Sequence, residues 1–279
     1  LLTYILINLY IEGLMKSTLF TLSLFFLLSA CGGNGSSDVP EVLDDKVAGP
    51  TELSKNLAIP DNRELDTYQV LIIGNSHVQS IQKLLTIMFQ EGLKEKKVSL
   101  DTRVGAFLDE IVNKENLVEL VETRTWTHII LQGQKYSQSQ SVLYPTVETK
   151  TWIQRAKSNG ATPILFPEHP QRGNPNEADY VHSLHIDIAN DELSCVAPIG
   201  LSWNKVLAVE PTLDFYQSDG NHATELGAML SALVLYQVIS GQAADMLPYI
   251  AELPGTESIQ ALLGQFASQT IAESVPCMY

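Results

Sequence analysis

The chain has 279 residues, 45% of them hydrophobic and 18% charged, which is the composition of an ordinary globular protein with room for one large core. Its 32 acidic and 17 basic residues leave a net charge of −15. That balance argues against nucleic acid or anionic lipid as the main partner, because both require a basic surface.

The N-terminus has the pattern of a targeting segment. Met15 and Lys16 open a signal-peptide sequence: one positive charge, an apolar stretch over residues 19–28, then small residues. Leu28-Ser29-Ala30-Cys31 resembles the lipobox of bacterial lipoproteins. The resemblance implies cleavage before Cys31, lipidation of that cysteine and attachment to the cell envelope. Gly32 stands where an aspartate would retain the protein at the inner membrane, so an outer-membrane anchor facing the periplasm or the surface is expected. The competing reading is an uncleaved apolar anchor, which Glu12 and Lys16 interrupt. Residues 1–14 read as sequence upstream of the true start. Removing residues 1–30 takes one charge of each sign, so the remainder keeps its charge of −15.

Residues 31–66 are rich in Gly, Ser, Asp and Pro without a sustained period, the composition of a flexible tether to a domain spanning 67–279. Within that domain short apolar runs alternate with helical patterns. Strands are predicted at 69–73, 98–103, 128–132, 163–166 and 195–198. Helices are predicted after Ser76 as far as Gly92, read as a C-cap, and at 107–122, 147–159, 177–191 and 202–209. The helix predicted at 224–239 is apolar almost all round and is expected to be buried, ending at Gly241. Five strands separated by helices imply a flavodoxin-like three-layer α/β/α sandwich with a parallel sheet. Sites in such sheets form beyond the C-terminal strand ends, where Ser76, Gly105, Gln134 and the 167–176 loop fall.

Two short motifs carry the chemistry. Gly74-Asn75-Ser76-His77 follows an apolar run and precedes a helical pattern, the strand-to-helix turn at which α/β hydrolases expose a nucleophile. Asp219-Gly220-Asn221-His222 can bring a carboxylate to one imidazole nitrogen and leave the other free as a base. Taken singly, Ser76 reads as a helix N-cap and Asp219 as a loop residue before the last helix; their order and separation favour catalysis. His77 reads as a packing or surface residue. His182 and His185 stand three apart on a helical stretch and could share a metal, but with no acidic or cysteine partner nearby a solvated helix face is favoured, and neither metal nor cofactor is expected. The Pro-rich loop with Glu168, His169 and Arg172, and the 134–144 stretch with Tyr136 and Tyr144, are candidates to shape a pocket.

Over residues 68–241 the chain resembles the SGNH, or GDSL-like, hydrolase superfamily. Gly74-Asn75-Ser76 matches its nucleophile block with Asn for Asp, Gly105 falls where the family places an oxyanion-binding glycine, and Asp219-x-x-His222 matches its last block. The third block departs: Leu131-Gln132-Gly133-Gln134 has no asparagine, so Gln134, with Gln132 as alternative, is expected to supply that amide. The resemblance implies a Ser76–Asp219–His222 triad with an oxyanion hole from Ser76, Gly105 and Gln134. The implied activity is hydrolysis of a small-molecule or glycan ester, with sugar O-deacetylation as the finer expectation. An acyltransferase onto a glycan and a non-catalytic binding lipoprotein are the alternatives.

Overall fold

The computed structural model describes residues 56–279, so Cys31, the signal-peptide pattern and most of the tether lie outside the described residues. Five parallel strands form the sheet: β1 (Thr67–Gly74), β2 (Lys97–Val104), β3 (His128–Gln132), β4 (Thr162–Phe166) and the two-residue β5 (Cys195–Val196). Their order is β2-β1-β3-β4-β5, the doubly wound arrangement, with the chain reversing direction across the sheet between β1 and β3. All five strands fall where the apolar runs predict them.

The connections are α1 (Ile81–Gly92), the short α2 (Leu108–Ile111), α3 (Glu115–Thr123), α4 (Val147–Ser158), α5 (Asn176–Asp191), α6 (Ile199–Val209), α7 (Glu225–Ser240) and α8 (Glu257–Glu273). The strands alternate between two cores. Tyr68, Val70 and Ile72 pack with the apolar residues of α1, α6 and α7, whereas Leu71 and Ile73 pack with those of α2, α3 and α4.

Four sequence expectations need correction. The helix predicted at 107–122 is two helices, because the chain turns at 111–114 with the Lys114 N–H bonded to the Ile111 carbonyl. Gly92 is the last residue of α1 rather than its cap: a Cβ there would meet the Tyr236 hydroxyl of α7 at 2.3 Å, so glycine serves close packing. His182 and His185 do not form a solvated face; His185 is buried and its Nδ1 contacts the Val181 carbonyl at 2.7 Å. Helix α8 was not expected. It supplies the cover that lets α7 bury nearly all of its circumference. Thr224 caps α7 by accepting from the Gly227 N–H, and Gly241 closes it in the left-handed conformation (φ 70°), as its position predicts.

Cys195 of β5 and Cys277 of the C-terminal tail form a disulfide across 82 residues, and the Val196 N–H donates to the Pro276 carbonyl beside it. Among the described residues no helix is long and apolar enough to cross a membrane.

Candidate active site

β1 ends at Gly74, and the chain turns sharply into a single 3-10 turn, Ser76–Val78. Asn75 caps that turn, its side-chain oxygen accepting from the His77 N–H at 3.1 Å. Beneath it the Gln132 side chain accepts from the Asn75 N–H at 2.8 Å. A Cβ on Gly74 would meet the Gln132 Oε1 at 2.4 Å, so the turn can sit on this amide only with glycine there. Ser76 is left exposed at the C-terminal edge of the sheet.

From the other end of the chain, the loop before α7 delivers Asp219 and His222. Gly220 adopts φ 69°, and Asp219 Oδ1 accepts from the N–H groups of Asn221 (2.9 Å) and His222 (3.0 Å), which folds the motif onto itself. Asp219 Oδ2 then lies 2.5 Å from His222 Nδ1, and His222 Nε2 lies 2.8 Å from Ser76 Oγ. The contact with His222, helped by the two backbone donors, holds the Asp219 carboxyl well below the usual carboxylate range. A hydroxyl, an imidazole and a carboxylate joined in this order can generate a nucleophilic alkoxide without a metal.

The Pro-rich loop after β4 braces this arrangement. His169 Nε2 contacts the Asn221 carbonyl at 2.9 Å, its ring stacks on Trp203 at 3.9 Å, and Arg172 donates to the Tyr216 and Gln217 carbonyls. His169 and Arg172 thus hold the His222 loop, whereas Glu168 from the same segment faces the cleft. His77 is a packing residue: it stacks on His222 (5.0 Å between rings, 16° between planes), and burial followed by the neighbouring His222 brings it down to about 4.

Two of the expected oxyanion contributors are otherwise engaged. The Gly105 N–H donates to the Gly74 carbonyl at 2.9 Å, extending the β1–β2 ladder. Gln134 is buried; its amide nitrogen donates to the Lys135 (2.8 Å) and Pro145 (3.1 Å) carbonyls while its oxygen accepts from Thr149 at 2.6 Å. With both amide protons committed, Gln134 fastens the loop to α4 and has no donor left to offer. Gln132, the alternative, spans from Asn75 to Glu168, to which its Nε2 donates at 2.7 Å. Among the described residues the Ser76 N–H has no protein acceptor and remains available.

Sequence reasoning did not single out Asn75 or assign Gln132 its structural part, and left Glu168 as a general pocket residue. A usable signal was present in β3, where Gln132 follows four buried residues on a central parallel strand, a place where a polar side chain must find partners. Together with Phe107, Tyr136 and Asn221, the residues flanking Ser76 line a cleft of about 580 Å³. Among the described residues no group of three or more His, Cys, Asp or Glu side chains is placed to share a metal ion.

Comparison with known proteins gives the fold. No protein-family profile and no curated protein matches the chain. Among solved structures it is similar to a DUF4886 family protein from Bacteroides uniformis, with a TM-score of 0.59 at 14% identity over 76% of this chain and 97% of that one. It is also similar to the psychrotrophic esterase EstA from Pseudoalteromonas sp. (TM-score 0.47, 15% identity, 63% and 98% covered). A Clostridium thermocellum family 3 carbohydrate esterase gives a TM-score of 0.43 at 11% identity, with 61% and 94% covered. At these identities the likeness is one of architecture, and the chemistry rests on the side chains described above.

Proposed function

We propose that the protein is a serine ester hydrolase of the SGNH type in which Ser76 is the nucleophile, His222 the general base and Asp219 its orienting partner. The observation that carries this is the continuous Ser76–His222–Asp219 hydrogen-bonded chain, at 2.8 and 2.5 Å, beside an open polar cleft. As Ser76 Oγ attacks the ester carbonyl, its proton passes to His222 Nε2. Asp219 remains ionised and stabilises the imidazolium. The Ser76 N–H meets the oxyanion, and His222 returns the proton to the departing alcohol. A water molecule then attacks the acyl-enzyme by the same route in reverse. The amides of Asn75, Gln171 and Asn221 with the aromatic rings of Tyr136 and Tyr144 suit a sugar ester, and O-deacetylation of a carbohydrate is the substrate reading we favour.

The Cys195–Cys277 disulfide supports an oxidising compartment, in keeping with the lipobox-like sequence at Cys31 and a place in the cell envelope. The anchor is tested separately, by fatty-acid labelling of wild type and Cys31→Ser. For the catalytic reading, a fluorophosphonate probe should label Ser76, and Ser76→Ala should lose both labelling and aryl acetate turnover. Turnover surviving in Ser76→Ala would sink it.

A further inference from the structure

Among the described residues Glu168 is the one acidic side chain lining the cleft beside Ser76, and the triad does not use it. It follows β4 by two residues and its side chain is 11% exposed. Gln132 donates to its Oε1 at 2.7 Å while accepting from the Asn75 N–H at 2.8 Å, so the carboxyl sits on the amide that holds the nucleophile turn. His77 Nε2 lies 3.7 Å from the other oxygen. The cation in the same cleft, Lys135, is already paired with Asp109 and Glu110, both at 2.8 Å. Among the described residues the lining therefore holds a buried carboxyl, amides, hydroxyls and rings, with no unpaired positive charge to receive an anion.

We propose that Glu168 is the specificity-determining residue of the cleft, its carboxyl group donating a hydrogen bond to an oxygen atom of an uncharged, hydroxyl-bearing ester and disfavouring esters that carry a negative charge near the scissile bond. The proposal rests on the esterase reading above. Several groups set its proton. Burial raises the carboxyl to about 7 against the lowering effect of Asn75 and Gln132. Glu177 of α5, which accepts from the Tyr136 hydroxyl at 3.0 Å, adds a like charge, whereas His222 pulls the other way. His77 is neutral and gives Glu168 no countercharge. Below neutrality Glu168 keeps its proton and can donate. Above it the carboxylate only accepts, and repels anions.

The test measures kcat/KM from acid to alkaline pH for a methyl glucoside acetylated at O3, the matching acetylated methyl glucuronide and p-nitrophenyl acetate. Fluorophosphonate labelling of Ser76 reports whether the site is intact in each variant. In the wild type the KM for the glucoside should rise about tenfold across neutrality, the scale of one hydrogen bond to a buried carboxyl, with the glucuronide falling further behind as Glu168 ionises. Glu168→Gln keeps a donor without a titrating group, so its KM should be flat and its preference over the glucuronide should shrink. Glu168→Ala should lower the ratio of glucoside to aryl acetate turnover about tenfold below neutrality, where the wild type donates, and leave it near the wild-type value above. Unchanged ratios in both variants, a wild-type pH profile in Glu168→Gln, or a wild type that cleaves the aryl acetate but neither sugar ester would overturn the proposal. Loss of all turnover and of Ser76 labelling in the wild type would instead fail the esterase reading.

Discussion

On one wall of the site, Ser76, Asp219 and His222 meet through two short contacts, with Ser76 and Asp219 exposed and His222 partly so. On the other, Gln132 and Gln134 are buried and each spans two or more partners within the fold. Both walls are polar, but the first keeps hydrogen-bonding capacity free for a substrate while the second has used its capacity to hold the loops in place. Residue type alone does not distinguish the two uses; the number of partners already satisfied does.

The contrast breaks most sharply by removing groups from the first wall. Ser76→Ala or His222→Ala should lower kcat on an aryl acetate by at least about 10⁴-fold with the denaturation midpoint little changed, since Ser76 is exposed and His222 packs only against the His77 ring. A large loss of stability in either would show that the two walls do not differ as described.

Gly74→Ala strikes the joint between the walls. The added methyl collides with the Gln132 side chain and with Val78, and we expect about a 10²-fold loss of kcat through displacement of Ser76. Full activity would mean that the nucleophile turn does not depend on Gln132.

Acid should act beneath the first wall. Burial holds His77 at about 4 and His169 at about 3, with His128 and His185 lowered in the same way, to about 3 and about 4. These folded values lie below the unfolded one, so the unfolded chain binds more protons and stability falls as pH drops from about 6.5 towards 4. For His77 alone the loss approaches roughly 3 kcal/mol. Glu168 acts oppositely: its folded value is raised, so its contribution is present below about 4.5 and is lost as pH rises through about 7. Five imidazoles, counting His182, which burial also lowers, against one carboxyl should lower the urea midpoint between pH 7 and pH 5; equal midpoints would count against histidines held neutral.

The smallest effect on rate belongs to the second wall. Gln134→Ala should cost about 2 kcal/mol of stability, because Thr149 and two carbonyls lose their partner, while kcat falls less than about tenfold. A 10²–10³-fold loss of kcat at unchanged stability would restore Gln134 to the oxyanion hole.

The same distinction explains what could be read from the chain. Asp219 and His222 were legible because a three-residue spacing in a turn nearly determines their contact, and the strands because a buried parallel sheet demands apolar runs. Ser76 was legible from its place at the end of one such run. The direction of the Gln134 amide depends on the turn at Gly133 (φ 100°) and on Thr149 fifteen residues later, neither encoded in local periodicity. Gly105 was misassigned because a backbone N–H carries no sequence signal of whether a ladder has claimed it. Helix α8 escaped because three of its four buried residues, Gly264, Ala267 and Thr270, are small or polar, leaving Leu263 as the one large apolar side chain on that face.

The Cys195–Cys277 bond has a topological consequence for the site. It closes a ring that contains Asp219 and His222, while Ser76 enters on an open strand outside that ring. The base and its carboxylate are thus carried on a covalently circular segment and the nucleophile on a linear one. A protease that nicks the chain within residues 196–276 leaves both pieces joined under oxidising conditions, and only a reductant lets them part. Electrophoresis of nicked protein with and without dithiothreitol would display that ring directly, as one band that becomes two.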